Sequence, residues 1–334
     1  MRNKGWALAS LLTLGALAGC GGGDPAPSST AGTTGETAAS LTSCGLDLEV
    51  TAPPERAISL EQNATEIMLT LGLADRMIGT SYQTDPVLPS LADAYAQVPV
   101  LAAQYANHEA TLAEEPDFLY STLSSAYAAE AAGSRADWAA LGVPAYLSTF
   151  DCEDLERIPE TVGFDAIFAE IEDIADVFDV EDRGDDVVGD LRQRLDGAVA
   201  DAPQGTGASV LWYYSGTTTP YVAGHGGLPS TVSGLLDVDN AFEDVDQKWP
   251  AGTWEEIAER DPDVIVLADL TRGGDGDSAE AKKDFLRSNP VTSRLDAVRN
   301  DRFIVVPGSA MDPSIRSVGL VEDVSQGFED LYGG

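Results

Sequence analysis

Residues 54–79 read PERAISLEQNATEIMLTLGLADRMIG. Within them, a short apolar run at 57–60 is followed by three polar residues, and residues 64–71 then carry apolar side chains at helical spacing up to Gly72. Residues 76–80, RMIGT, predict another strand. The order strand, loop, helix and strand predicts a parallel sheet whose faces are covered by helices.

The same alternation continues through the rest of the chain. Further strands are predicted at 97–101, 117–120, 145–147, 209–214, 221–223, 264–267 and 303–306, and further helices near 128–141, 229–237, 253–260 and 315–331. The intervening residues show no strand pattern but two stretches of helical spacing, so two helices are expected there, at least one of which bridges the halves. The sequence therefore predicts an α/β fold with mainly parallel sheets: an N-terminal lobe over 44–160, a helical linker over 161–201 and a C-terminal lobe over 202–334.

The N-terminus has the features of an export signal. Residues 1–19 combine two positive charges with an apolar run that is shorter than the roughly 20 residues needed to span a membrane. The following Cys20 completes a Leu-Ala-Gly-Cys segment that resembles the lipobox of bacterial lipoproteins; the alternative is an ordinary signal peptide with an incidental cysteine. Residues 20–43 are rich in Gly, Ser, Thr and Ala, which predicts a flexible tether. The expected location is therefore extracytoplasmic, with a lipid anchor in the cell membrane.

The composition is strongly acidic. The 334 residues include 56 Asp and Glu against 19 Lys and Arg, for a formal net charge of −37. Binding to nucleic acid is excluded, because no basic surface is available to neutralise phosphates. An anionic ligand would need a local cluster of the few arginines.

Cysteine and histidine are scarce. Apart from Cys20 the chain contains Cys44 and Cys152, and an even pair in an oxidising compartment favours a disulfide over two free buried thiols. With only His108 and His225, a three-histidine metal site cannot be built. The usual nucleophile and phosphate-loop motifs are absent from the sequence, so no catalytic residue, metal or cofactor is predicted.

Aromatic and polar side chains lie in loops that follow predicted strands. Open α/β sheets bind ligands at this edge. Each position alone is compatible with ordinary surface or core, but together they predict a cleft that holds a compact ligand by stacking and charge-assisted hydrogen bonds. The predicted ligand-binding residues are Gln62, Asn63, Tyr82, Tyr105, Ser124, Tyr127, Tyr214, His225, Trp249, Arg272 and Arg316.

A short internal repeat links the two halves. Residues 109–120, EATLAEEPDFLY, and 255–266, EEIAERDPDVIV, share a glutamate near a predicted helix start and a Pro-Asp pair just before a strand. The glutamates suit the positive end of a helix dipole, and solvated helix ends account for them unless a partner is present.

Taken together, these segments resemble a known family, the bacterial substrate-binding lipoproteins of ABC importers for iron–siderophore complexes, cobalamin and related large cofactors. The resemblance covers about residues 44–331 and rests on 54–79, on the two repeat segments, and on residues 285–290, 295–298 and 303–307. It implies two α/β lobes joined by a long rigid helix, a ligand held between them, and limited closure.

The resemblance also implies partners for this chain. In such proteins one acidic residue on each lobe docks onto permease arginines, and by position these are Glu109 and Glu255, with Glu256 as a neighbour of the second. The expected partners are an ABC permease with its ATPase, and the chain is expected to act as a monomer. The favoured cargo is a ferric siderophore, with cobalamin or a deazaflavin precursor as alternatives. A tethered extracellular hydrolase or lyase and a structural surface lipoprotein remain the alternatives from other classes.

Overall fold

The computed structural model describes residues 39–152, 162–202, 207–274 and 276–333. The predicted signal peptide at 1–19, the lipidation site Cys20 and most of the tether lie outside these residues. Within the described ranges, no helix has both the length and the apolar character needed to cross a membrane.

A β-hairpin begins the described chain. Strands β1 (Ala39–Ser43) and β2 (Leu46–Val50) pair antiparallel and bury Ala39, Leu48 and Val50 on one face. The prediction of a tether is therefore wrong for residues 39–43. This strand is short and consists mostly of small residues, so its sequence shows no clear alternation of apolar and polar side chains. The hairpin turn carries Cys44, which forms a disulfide with Cys152 across a Cα–Cα distance of 5.3 Å.

The N-terminal lobe is built on a parallel sheet with strand order β5-β4-β3-β6-β7. Its elements are β3 (Ala57–Ser59), α1 (Gln62–Thr70), β4 (Met77–Ser81), α2 (Ala92–Tyr95), β5 (Val100–Ala102), α3 (His108–Ala113), β6 (Phe118–Ser121), α4 (Arg135–Ala140) and β7 (Ala145–Leu147). The helix expected at 128–141 is confined to α4. Gly133 has φ +86, which interrupts a helix, and the Ser134 side chain caps the new helix by accepting from the Asp137 N–H.

Two helices follow, α5 (Phe164–Val177) and α6 (Glu181–Asp201). The C-terminal lobe then has a parallel sheet of order β10-β8-β11-β12, with β9 antiparallel to β8. Its elements are β8 (Ser209–Ser215), β9 (Tyr221–Val222), α7 (Leu228–Leu235), β10 (Asp239–Asn240), α8 (Trp254–Arg260), β11 (Val264–Asp269), α9 (Ala279–Ser288), α10 (Asp296–Arg299), β12 (Phe303–Pro307) and α11 (Ser317–Tyr332).

The internal repeat corresponds to equivalent structure in the two lobes. Asp117 accepts hydrogen bonds from the N–H groups of Glu55 and Arg56, just before β3. Asp263 accepts from the N–H of Ser209, at the start of β8. In each lobe this aspartate therefore joins the start of one central strand to its neighbour. The residue before each Pro-Asp pair, Glu115 or Asp261, adopts positive φ and ends the preceding helix.

Helix α6 connects the lobes. Its 21 residues give it a length of about 31 Å. Near its start, the Arg183 guanidinium donates to the Thr70 carbonyl oxygen at the end of α1, at 3.0 and 3.2 Å. Toward its other end, Arg194 forms two hydrogen bonds with Glu322 of α11, at 2.7 and 2.9 Å. The helix is thus held to both lobes.

A buried ion pair also joins the lobes. Arg316, which immediately precedes α11, donates to both carboxylate oxygens of Glu66 on α1 at 2.5 and 2.6 Å. The side chains are only 6% and 0% exposed. Arg316 also donates to the Pro86 carbonyl, and the Leu88 N–H donates to Glu66. Both carboxylate oxygens of Glu66 and two of the three guanidinium nitrogens of Arg316 therefore have hydrogen-bond partners, which offsets the cost of burying the two charges.

We predict that Arg316→Met lowers the free energy of unfolding by about 3–5 kcal/mol, because it leaves the Glu66 carboxylate buried without its counter-charge. The double variant Glu66→Leu/Arg316→Met should lose much less than the sum of the two single changes. Urea denaturation of all four proteins gives the coupling free energy.

The matched control is Arg194→Met, which breaks the exposed ion pair with Glu322 and should cost no more than about 1 kcal/mol. Additive losses in the double variant would contradict a coupled interlobe pair.

A second buried carboxylate lies on α5. Glu170 is 4% exposed, and it accepts hydrogen bonds from Tyr120 Oη at 2.6 Å and Ser148 Oγ at 2.5 Å. Burial raises the pKa of Glu170 from its ordinary 4.5 to about 7, and the two hydrogen bonds oppose this rise only in part. Below pH 4.5 the carboxyl is protonated in both the folded and unfolded states. As pH rises from there to about 7, the unfolded chain releases its proton first, so the stability that Glu170 supports falls.

We predict that Glu170→Gln removes this pH dependence. Relative to the variant, the wild-type free energy of unfolding should fall by on the order of 2 kcal/mol between pH 5 and pH 8. Urea denaturation across this range measures the difference, with Glu172→Gln, an exposed change on the same helix, as control. Parallel curves for wild type and Glu170→Gln would show that Glu170 does not titrate there.

Candidate functional site

The carboxyl ends of the two parallel sheets border a cleft between the lobes. Two small cavities lie in it, of about 50 and 120 Å³, and they share Leu123 and Asp312. The first is lined by Glu61, Gln62, Asn63, Tyr82, Thr84, Leu123, Tyr214, Arg272, Ser309 and Asp312. The second is lined by Thr122, Leu123, Phe150, Asp151, Val162, Gly227, Leu228, Lys248, Trp249, Met311, Asp312 and Pro313. This is the sheet edge at which α/β folds bind ligands.

The N-terminal wall is organised by Glu61, which lies between β3 and α1. Its carboxylate caps α1 by accepting from the N–H groups of Asn63 and Ala64 at 2.6 and 2.9 Å, and it also accepts from the Thr122 N–H at 3.0 Å. Burial raises the pKa of Glu61, whereas these hydrogen bonds act to lower it. The adjacent Gln62 Oε1 accepts from the N–H groups of Thr84 and Asp85, which holds the loop after β4.

Aromatic pairs lie on both sides of the cleft. Tyr82 and Tyr105 have ring centroids 4.4 Å apart on the N-terminal side, and Tyr214 and Trp249 have centroids 4.8 Å apart on the C-terminal side. Tyr82 has φ +48, a backbone conformation that is uncommon for residues other than glycine and is found at ligand sites. The guanidinium carbon of Arg272 lies 5.6 Å from the centroid of the Tyr214 ring. These surfaces are suited to stacking against a planar or apolar ligand.

The charged groups of the cleft have definite partners. Arg272 donates to the Asp277 carboxylate at 3.0 Å, and Lys248 Nζ donates to the Phe150 carbonyl oxygen at 2.6 Å. Burial lowers the pKa of Lys248, although nearby carboxylates oppose the shift. Asp312 accepts from the Trp249 side chain, and burial, together with repulsion from other carboxylates, raises the pKa of Asp312 to about 7.

Several buried polar atoms at this edge lack a partner. Among the described residues, Asn63 Oδ1, Asp85 Oδ1 and Ser309 Oγ have no hydrogen bond within the protein, although their residues are only 3%, 7% and 5% exposed. Asn63 and Ser309 line the first cavity. Unpaired polar atoms are costly in a protein interior, so they mark a place where a ligand or water supplies the missing partner.

Hydrogen bonds also cross the cleft directly. Thr271 Oγ1 donates to the Thr84 carbonyl at 2.7 Å, and the Ser309 N–H donates to Asp85 Oδ2 at 2.7 Å. Together with the Lys248–Phe150 bond, they hold the carboxyl ends of the sheets close together.

Most residues predicted for the ligand site do meet at this cleft. Gln62, Asn63, Tyr82, Tyr214 and Arg272 line the first cavity, and Trp249 lines the second. Tyr105 packs on Tyr82. Ser124 is adjacent to Leu123, and it hydrogen-bonds through both its N–H and its hydroxyl to Asp151.

Three predicted ligand residues lie elsewhere. Tyr127 belongs to the core of the N-terminal lobe, where its hydroxyl donates to the Tyr146 carbonyl oxygen at 2.7 Å. His225 Nδ1 lies 2.7 Å from Glu243 Oε1 on the C-terminal lobe, and His225 lines neither cavity. Arg316 is committed to Glu66 and borders a groove beside α6.

Sequence reasoning missed Glu61, Asp151, Ser309 and Asp312 as cleft residues. Glu61 directly follows an apolar strand and precedes a helix, which is the position where a ligand-facing side chain is expected in an α/β fold. Asp312 follows the last strand after one short 3-10 helix, Gly308–Met311. In a chain with 56 acidic residues, however, neither carboxylate stands out by type.

Metal binding has no support in the described ranges. No group of three or more His, Cys, Asp or Glu side chains there is arranged to hold a metal ion. The cleft walls instead present aromatic faces and hydrogen-bonding groups.

The comparisons with known proteins agree with this architecture. Residues 58–310 match the family model described as periplasmic binding protein. A vitamin B12-binding protein of Vibrio parahaemolyticus is 27% identical over 281 residues, which cover 84% of this chain and 91% of that protein.

Two solved structures share the fold. A periplasmic binding protein from Veillonella parvula matches with a TM-score of 0.76 and 25% identity, over 88% of this chain and 97% of its own. An ABC-type Fe3+-hydroxamate transport system protein from Saccharomonospora viridis matches with a TM-score of 0.71 and 25% identity, over 89% and 99%. The family model spans most of the chain and both lobes, and the protein thus belongs to the periplasmic binding protein family.

Proposed function

We propose that this protein is the extracytoplasmic, lipid-anchored substrate-binding component of an ABC importer, and that it captures a ferric siderophore or a similar large chelate. The observation that carries the proposal is the interlobe cleft, where aromatic pairs from both lobes and unpaired buried polar atoms lie at the carboxyl ends of two parallel sheets. Cobalamin and a deazaflavin precursor are the alternative cargos.

The relatives support this class of cargo. One is named for vitamin B12 and another for ferric hydroxamate transport, and both ligands are large chelates. Members of the family act outside the cytoplasmic membrane, which agrees with the export signal predicted at residues 1–19.

Capture of such a cargo requires the cleft to open. Its cavities, of about 50 and 120 Å³, are smaller than the roughly 300–1,000 Å³ of typical small-molecule pockets. The contacts across the cleft are single hydrogen bonds, whereas α6 and the Glu66–Arg316 pair hold the lobes together on the side that faces the groove beside α6. In this proposal the lobes separate at the carboxyl ends of the sheets, and the side that carries α6 and the Glu66–Arg316 pair acts as the pivot.

The permease contact is proposed at Glu109 and Glu255. Both are exposed, and each occupies the second position of a short helix that is capped by the preceding loop, α3 or α8. Glu256 instead pairs with Arg260 at 2.8 Å, so Glu255 is the better candidate of the two neighbours. Exposed charges at equivalent places on the two lobes are suited to fixing the register of a partner.

The first test is direct binding. Ferric trihydroxamate or cobalamin added to the purified protein should quench its tryptophan fluorescence, because Trp249 lines the cleft. The protein should bind one equivalent of the ligand without changing it chemically. Native mass spectrometry of the complex measures the stoichiometry. Turnover of the ligand would favour a tethered enzyme, and absence of binding would contradict the proposal.

We predict that Glu109→Arg/Glu255→Arg abolishes uptake while ligand affinity stays within twofold of wild type, because both side chains lie outside the cleft. Uptake is measured in cells that depend on this protein for the ligand, and affinity by fluorescence titration.

The matched control is Glu259→Arg, an exposed change on α8 at a position that the repeat does not share. Wild-type uptake by the double variant would rule out these two residues as the docking contact.

A further inference from the structure

Acidic side chains outnumber basic ones in the walls of the cleft. Glu61, Asp151 and Asp312 line its two cavities, whereas Arg272 and Lys248 are the basic side chains among the described lining residues. Carboxylates that line a narrow cleft repel an anion more strongly than the same charges on an open surface, because less water screens them.

The basic groups are already engaged by the protein. Arg272 is paired with Asp277, whose side chain is only 7% exposed, so this guanidinium is neutralised by a fixed carboxylate. Lys248 donates to the Phe150 carbonyl oxygen. Arg316, the other arginine expected to attract an anion, donates through Nε and Nη2 to Glu66 and through Nη2 to the Pro86 carbonyl oxygen. An anionic ligand would therefore have to displace existing partners.

Asp312 lies at the junction of the two cavities. Burial is the main cause that raises the pKa of Asp312, and the carboxylates of Glu61 and Asp151 raise it further. The Trp249 hydrogen bond and Arg272 oppose the shift without cancelling it. A ligand that brought positive charge or N–H donors to this point would relieve the repulsion.

The unpaired polar atoms of the cleft also favour a ligand that donates hydrogen bonds. Asn63 Oδ1 and Asp85 Oδ1 accept hydrogen bonds and cannot donate them, and Ser309 Oγ can do either. Asn63 and Ser309 line the first cavity, and Asp85 already accepts from the Ser309 N–H. Acceptors without partners are satisfied by a ligand whose surface presents N–H or O–H groups.

We infer that the cleft selects a neutral or cationic cargo rich in amide or amine N–H donors and discriminates against cargos of net negative charge. This inference rests on the proposed function. It specifies the charge of the cargo and does not specify the metal or the ring system that the cargo contains.

Two matched ligand series test the inference. One is a ferric trihydroxamate with a free primary amine, the same complex with the amine acetylated, and the same complex with the amine succinylated. The other is cobalamin and its monocarboxylate, in which one side-chain amide is hydrolysed. Within each series the size and the metal are nearly constant while the charge changes. Dissociation constants are measured by quenching of tryptophan fluorescence at low salt and pH 8, above the pKa of about 7 of Asp312, so that this carboxylate is ionised.

In the series that binds, we expect the anionic member to bind at least tenfold more weakly than the cationic or neutral one. The difference should shrink as salt is added. Asp312→Asn should reduce the ratio of dissociation constants at least threefold. The equally charged change Asp93→Asn, at an exposed position on α2, should leave it unchanged. Melting temperatures establish that both variants are folded.

The possible outcomes distinguish the charge selectivity of the cleft from the binding function of the protein. Equal or tighter binding of the anionic members would overturn the charge selectivity and leave the binding-protein role intact. An unchanged ratio in folded Asp312→Asn would overturn the assignment of selectivity to the cleft carboxylates. Failure of both series to bind would contradict the proposed function, and the selectivity with it.

Discussion

The buried contact between Glu66 and Arg316 constrains the arrangement of the two lobes. It joins α1 of one lobe to the start of α11 of the other, and both side chains are almost completely buried. A buried ion pair adds little net stability compared with apolar packing, but it tolerates only one geometry, because either charge left alone is costly. Because α6 is also attached to both lobes, the proposed opening takes place at the opposite edge of the cleft. That edge contains the aromatic pairs and the unpaired acceptors.

The strands of both sheets can be predicted from the sequence because each depends on a short run of neighbouring apolar residues. The apolar runs that become β3, β6, β8 and β11 stand out against their polar flanks, and the Pro-Asp repeat corresponds to an equivalent link between strands in each lobe. The partner of Arg316 could not be predicted in this way. Glu66 is 250 residues distant in sequence, and in so acidic a chain any arginine has many candidate partners.

The candidate site was predicted in part for the same reason. Positions that directly follow a strand, such as Gln62, Asn63 and Tyr214, reach the cleft because topology alone places them there. Tyr127 is also a tyrosine in a loop after a strand, yet a short 3-10 helix turns it into the core, where the Tyr146 carbonyl oxygen accepts from its hydroxyl. Whether a side chain in a loop faces a cleft or a core depends on that turn, which residue type does not reveal.

The scarce basic residues act mainly within the protein. Arg183 and Arg194 attach α6 to the lobes, Arg316 joins the lobes, and Arg272 is held by Asp277. In a chain with a net charge of −37, these four arginines thus fix the positions of the protein's own helices and loops. The acidic residues lie in two separate places. Glutamates on α3 and α8 are exposed to solvent, whereas Glu61 and Asp312 line the cleft. Under the proposed function, the electrostatics of cargo selection and of docking can change independently, because these groups lie on different surfaces.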